Sequence, residues 1–131
     1  MSAESSRQAV ERFWQTMNTN DWHAVGRLLH DGFVLEWPQS GERIRGRDNF
    51  VAVNAHYPAH GPWRFDVRRV VADERGAVSD VAVSAPSVTA RVVSFFELRD
   101  GLIWHMTEFW PDPFAAADWR AQWVERDTRT E

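Results

Sequence analysis

The chain has no cysteine, which removes disulfides, thiolate chemistry and sulfur-held zinc from consideration. No stretch approaches the roughly 18 consecutive apolar residues of a membrane-spanning helix. The N-terminal Met1-Ser2-Ala3-Glu4-Ser5-Ser6-Arg7 also lacks the apolar core of a secretory signal. These absences imply a soluble, cytoplasmic protein with no membrane partner. Positive charge is short as well: 15 basic against 19 acidic side chains leave a net charge of -4. Such a balance offers no broad attraction to a phosphate backbone, so no nucleic-acid partner is expected. Internal repeats, low-complexity tracts and linkers are missing. The 131 residues therefore fit one domain, 1-131, with an ordered core of about 5-126.

Aromatic rings are plentiful, with eight tryptophans and eight phenylalanines against one tyrosine. Rings of this size fill cores and also line ligand cavities. Ser5 or Ser6 can cap a first helix whose apolar face is Val10, Phe13, Trp14 and Met17, and Asn18-Thr19-Asn20 ends it. Asp21 caps a second helix carrying Trp22, Val25, Leu28 and Leu29, with Asp31-Gly32 as the stop. Phe33 to Trp37 reads as a short strand ended by Pro38, and Arg43 to Arg47 as a basic loop. Asp48 starts a third helix with the stripe Phe50, Val53, Asn54 and Tyr57, ended by Pro58.

Beyond that helix the period changes to two. Strands are expected over Trp63 to Val71, Val78 to Ala85 and Val88 to Leu98, and Arg99-Asp100-Gly101 makes a tight turn into a last strand over Leu102 to Trp110. Ala115 to Glu125 can form a final helix with Trp119 and Trp123 at i, i+4, and the tail after Arg126 reads as disordered. The expected class is α+β: a curved, mostly antiparallel, cone-shaped sheet with three N-terminal helices covering an apolar pocket, plus a short C-terminal helix.

The last strand carries the most chemistry. Strict alternation puts Trp104, Met106, Glu108 and Trp110 on one face and Ile103, His105, Thr107 and Phe109 on the other. Glu108 thus stands in an apolar stripe. A buried, unpaired carboxylate must find a partner or take up a proton, which makes Glu108 a candidate acid, base or ligand anchor. Alternatively, it reaches solvent or pairs with an arginine and only holds the fold.

Asn20-Asp21-Trp22, Leu28-Leu29-His30-Asp31, Gly46-Arg47-Asp48-Asn49-Phe50 and Asp100-Gly101-Leu102-Ile103, in this order of elements, resemble the SnoaL-like branch of the nuclear transport factor two-like superfamily. The resemblance covers almost the whole chain. It implies a cone-shaped fold with a deep apolar pocket and a homodimer through the outer sheet face. Its relatives include polyketide cyclases, ketosteroid isomerases, limonene epoxide hydrolases, scytalone dehydratases and non-catalytic members. Against the isomerases, Trp37 stands where the general base should be, and Phe13 and Ser94 occupy the two oxyanion-hole positions, held there by a tyrosine and a protonated aspartic acid. Isomerisation by that mechanism is therefore not expected. Glu108 matches the acid of cyclase and epoxide hydrolase relatives, whose second aspartate and bridging arginine have candidate counterparts in Asp80 and Arg91.

A pocket built by this fold receives Phe13, Trp14, Trp37, Asn54, Ser94, Met106 and Trp110 as substrate-binding residues, with Glu108 catalytic. Such a lining suits a small hydrophobic or aromatic molecule oriented by one or two hydrogen bonds. No cofactor is called for: Gly41 and Gly46 lack the spacing and the lysine of a phosphate loop. No metal is expected either, because Pro58 separates His56 from His60 and no carboxylate completes a set. Two functions remain open: a cofactor-independent acid/base enzyme, or a non-catalytic module that binds a ligand or a protein.

Overall fold

The computed structural model describes residues 2-127. Helix α1 (Ala3–Met17) starts one turn earlier than the serine pattern suggests. Ser2 is the cap: its Oγ accepts the Ser5 N–H at 3.0 Å while the Ser5 hydroxyl accepts the Ser2 N–H at 2.9 Å. Ser6 is instead buried on the inner face with Val10, Phe13, Trp14 and Met17. Helix α2 (Trp22–Gly26) is short, capped by the Asp21 carboxylate on the Ala24 N–H. It does not run on to Asp31-Gly32. Leu29 opens strand β1 (Leu29–Trp37), and the Arg47 guanidinium takes up the carbonyls of Gly26 and Leu29, both at 2.7 Å. Strand pairing there outweighs a weak local helical preference.

The expected basic loop is strand β2 (Glu42–Arg45), paired antiparallel to β1 with Ile44 buried. Its arginine pattern suits an edge: Arg43 lies opposite Glu36 and bridges it at 3.0 Å, and charged side chains on an edge strand discourage further pairing. Helix α3 (Arg47–His56) follows, then β3 (Arg64–Ala72), β4 (Gly76–Ala85), β5 (Val88–Arg99) and β6 (Leu102–Phe109). The six strands run β2-β1-β6-β5-β4-β3; β1 and β6 are parallel, and every other neighbouring pair is antiparallel. Asp100 and Gly101, both at positive φ, form the two-residue turn of the β5–β6 hairpin, the conformation Asp-Gly favours there.

The inner face of this unclosed sheet and α1 bury one core, in which Phe13 meets Trp14, Phe50 and Phe96 ring to ring. Two asparagines after α1 join the helix to β3. The Asn18 amide exchanges both hydrogen bonds with the Phe65 backbone (2.8 and 2.7 Å), and the Asn20 amide does the same with Trp63 (2.9 and 2.6 Å). Each side chain thereby imitates a neighbouring strand. Asn18→Ala should cost about 1–3 kcal/mol by leaving part-buried backbone groups unpaired, read as a lower urea midpoint at unchanged m-value.

The expected helix over Ala115 to Glu125 is reduced to a 3₁₀ segment, Asp118–Trp123, which buries no residue and leaves Trp119 and Trp123 exposed. A short helix without a buried face has little to hold it in water. Of the tail expected to be disordered, residues 128-131 lie outside the described residues. Among the described residues, no helix is long and apolar enough to cross a membrane.

Candidate functional site

The curved sheet and the helices enclose a cavity of about 590 Å³. From α1 it receives Phe13, Trp14 and Met17; from α3 and the residue after it, Phe50, Val53, Asn54 and Tyr57. Trp63 and Phe65 form part of the wall where the Asn18 and Asn20 amides pin β3. Leu35, Trp37 and Glu108 come from β1 and β6, while Gln39, Ser40, Trp110 and Asp112 come from the segments that follow those strands. The α3 stripe thus faces an open chamber rather than a packed core, which is why Val53 and Tyr57 remain substantially exposed.

Glu108 is only 6% exposed. Its Oε1 accepts the Trp37 indole N–H at 3.1 Å and its Oε2 the Ser94 hydroxyl at 3.0 Å. Register explains both contacts: Ser94 is directly opposite Glu108 across β5–β6, and Trp37 ends the parallel neighbour β1, where Glu36 pairs with Thr107. One strand further, Ser79 pairs with Ser94 and accepts the Trp14 indole N–H at 3.0 Å. A row of small or polar groups therefore crosses the otherwise apolar inner face. Loss of aqueous solvation pushes the Glu108 carboxyl above its ordinary range, and hydrogen bonds from the Trp37, Ser94 and Trp110 side chains offset that only in part. Trp37→Phe keeps an aromatic ring but removes the indole N–H donor. The Glu108 titration midpoint should then move further up, as followed by the carboxyl ¹³C shift.

Of the residues singled out in the sequence, Phe13, Trp14, Trp37, Asn54, Glu108 and Trp110 come together on the cavity wall. Ser94 and Met106 are fully buried and lie off it; Ser94 reaches the site through Glu108, and Met106 is core between Leu35 and Phe96. Trp104 does not share the Glu108 face. The β5–β6 register slips between Glu97 and Leu98, and Ile103, not Trp104, is the buried neighbour of that stripe. Trp104 instead stacks on His105 with the Arg99 guanidinium 3.6 Å from its ring centre. Asp80 and Arg91 form a two-pronged ion pair at 2.6 and 2.9 Å, but they alternate with the buried Ser79, Val81 and Val92 and so project from the other sheet face.

Sequence reasoning missed Tyr57, Trp63 and Phe65 as cavity wall. Gln39 accepts the Trp110 N–H at 2.5 Å and ties the turn after β1 to the end of β6 at the cavity mouth. Among the described residues, no three His, Asp or Glu side chains converge as a metal-binding group.

A SnoaL-like domain model matches residues 10–106. The chain belongs to the SnoaL-like family. Among solved structures, this SnoaL-like protein is similar to a "putative ketosteroid isomerase" from Kribbella flavida at 31% identity and a TM-score of 0.88, covering 97% of this chain and 93% of that one. An NTF-2 like protein of unknown function from Burkholderia xenovorans shares 35% identity at a TM-score of 0.79, over 97% and 98% of the two chains. The similarity to an LEH-like epoxide hydrolase from M. tuberculosis concerns fold alone: 23% identity, TM-score 0.67, 84% of each chain. No curated protein matches the SnoaL-like chain.

Proposed function

We propose that the protein binds a small, largely apolar molecule in this cavity and that Glu108 exchanges a proton with it. That makes it a cofactor-independent acid/base enzyme of the cyclase, isomerase, dehydratase or epoxide hydrolase kind. One observation carries the reading: a carboxyl group buried on the wall of an aromatic chamber, held by neutral donors only. Burial raises the Glu108 pKa and so moves the carboxyl in the direction that general acid–base catalysis favours. Steroid isomerisation by the family mechanism is not the reaction proposed, because Trp37, Phe13 and Ser94 stand where its base and its two oxyanion donors would be. The epoxide hydrolase set is also incomplete, because the Asp80–Arg91 pair lies away from Glu108.

The satisfied state of Glu108 favours a second reading, non-catalytic ligand binding. Both oxygens already accept side-chain hydrogen bonds, as a purely structural carboxyl would. A thermal-shift screen of wild type and Glu108→Gln against polycyclic ketones, terpenoid epoxides, phenolic acids and small lactones tests the site. A ligand of the folded state at a hundred times its Kd adds about 2.7 kcal/mol of stability. A shift with any class supports the ligand site and supplies a compound to assay, where loss of turnover with binding retained in the variant supports the role of Glu108; no shift with any class sinks the proposal. The homodimer implied by the family has support in Phe95 and Phe109, exposed ring neighbours on the outer sheet face.

A further inference from the structure

The cavity has an unbalanced charge inventory. Of the twenty described residues that line it, eight are aromatic, two are acids, Glu108 and Asp112, and none is lysine, arginine or histidine. Tyr57 is the remaining ionisable group among them. Several rings form a continuous surface: Tyr57 meets Trp63 at 5.1 Å, Trp63 stacks on Phe65 at 6.1 Å, and Phe65 meets Trp14 at 5.4 Å. Aromatic faces carry negative potential and attract cations, most strongly where water is displaced.

We propose that the ligand of this cavity is a protonated or quaternary amine on an apolar body of one or two rings, its charge placed against Glu108 and the aromatic wall. This rests on the reading that the cavity is the ligand site and adds the ligand's charge. An anion would enter a chamber that holds two carboxyl groups and no counter-ion. A neutral alcohol or ketone gains one hydrogen bond from Glu108. An ammonium group meets ring faces and also supplies the positive partner that the buried carboxyl lacks, since its present donors are two indoles and a hydroxyl. The neighbouring cation favours the carboxylate form. A protonated amine entering beside a protonated Glu108 therefore leaves an ammonium–carboxylate pair in the site and passes one proton to buffer.

Three probes with one body separate the possibilities: 1-naphthylmethylamine, 1-naphthalenemethanol and 1-naphthoate, titrated calorimetrically from about pH 5 to 8, at each pH in two buffers of different ionisation enthalpy. The amine should bind at least about tenfold tighter than the alcohol, with the acid weakest, and the paired buffers should report net proton release for the amine alone as pH falls toward the folded-state pKa of Glu108. In Glu108→Gln the amine's advantage should collapse to about threefold or less, with the alcohol's affinity retained. An alcohol that binds as tightly as the amine, or an acid that binds best, overturns the inference while the ligand-site reading stands. Amine binding without proton release at any pH in that range overturns the pairing with Glu108, a measurement on wild type that holds even if the variant does not fold. Absence of binding by all three overturns both readings.

Discussion

Replacing Glu108 by glutamine is expected to lower kcat by about 10²–10⁴-fold, the usual contribution of a positioned acid or base, while ligand affinity for uncharged compounds changes little. Glutamine is nearly isosteric. Its amide oxygen can keep the Trp37 N–H bond and its NH₂ can donate to Ser94 Oγ, so packing around β6 survives and the loss reports proton transfer. The same variant carries a stability signature independent of any substrate. Burial raises the Glu108 pKa above its ordinary value of 4.5, so the folded chain keeps a proton that the unfolded chain has already released. In that window the folded state binds more protons, and stability falls as pH rises. Wild type should therefore be at its best relative to the glutamine variant below about pH 4.5, lose ground as pH climbs through the folded-state pKa, and level off above it. Urea midpoints of both proteins across pH 4 to 9 measure this. A flat difference would mean that Glu108 titrates alike in the folded and unfolded chains and would remove the basis for its acid role, whatever the turnover data show.

How much of this site was legible beforehand follows from the kind of signal each residue leaves. The burial of Glu108 was readable because alternation along the strand sets it on the same face as Met106 and Trp110. The α1 stripe and the β5–β6 hairpin were readable because period and turn chemistry are local properties. Trp104 was misassigned because a register slip inside an antiparallel pair reverses the faces beyond it, and no residue type announces the slip. Strand β2 was hidden by its arginines, whose partner Glu36 is adjacent only after pairing. Asn18 and Asn20 looked like a plain helix stop; their bonds to Phe65 and Trp63 join residues 43 to 47 positions apart, which no local pattern contains. The cavity walls Tyr57, Trp63 and Phe65 went unrecognised for a related reason. A helix stripe and a strand face look the same in sequence whether they meet each other or leave a gap, and the gap here depends on sheet curvature.

The second large effect arises at Gly76, where the backbones of β4 and β5 approach closely. Gly76→Ala is expected to destabilise the fold by about 3 kcal/mol or more, the upper range for overpacking, and to lower Tm by roughly 10 °C. Gly76 opens β4 opposite Glu97 of β5, and a Cβ built there lies 1.8 Å from the Phe96 carbonyl oxygen and 2.9 Å from its carbonyl carbon. The obstacle is backbone, so no rotamer change can relieve it. The chain must part β4 from β5 or displace Phe96, whose ring packs on Phe13 and Trp14 at 5.4 and 6.3 Å. Displacement would thus reach two residues of the cavity wall as well as the core. Gly101→Ala is the control: at φ 76° with nothing within 4 Å, it should cost only about 1–2 kcal/mol of left-handed strain. If thermal unfolding shows the two alanines equally tolerated, the close approach of β4 to β5 at Phe96 is not what holds this end of the sheet. If Gly76→Ala alone loses stability, and ligand binding weakens with it, then the close approach of β4 to β5 also sets the position of Phe13 and Trp14 in the cavity.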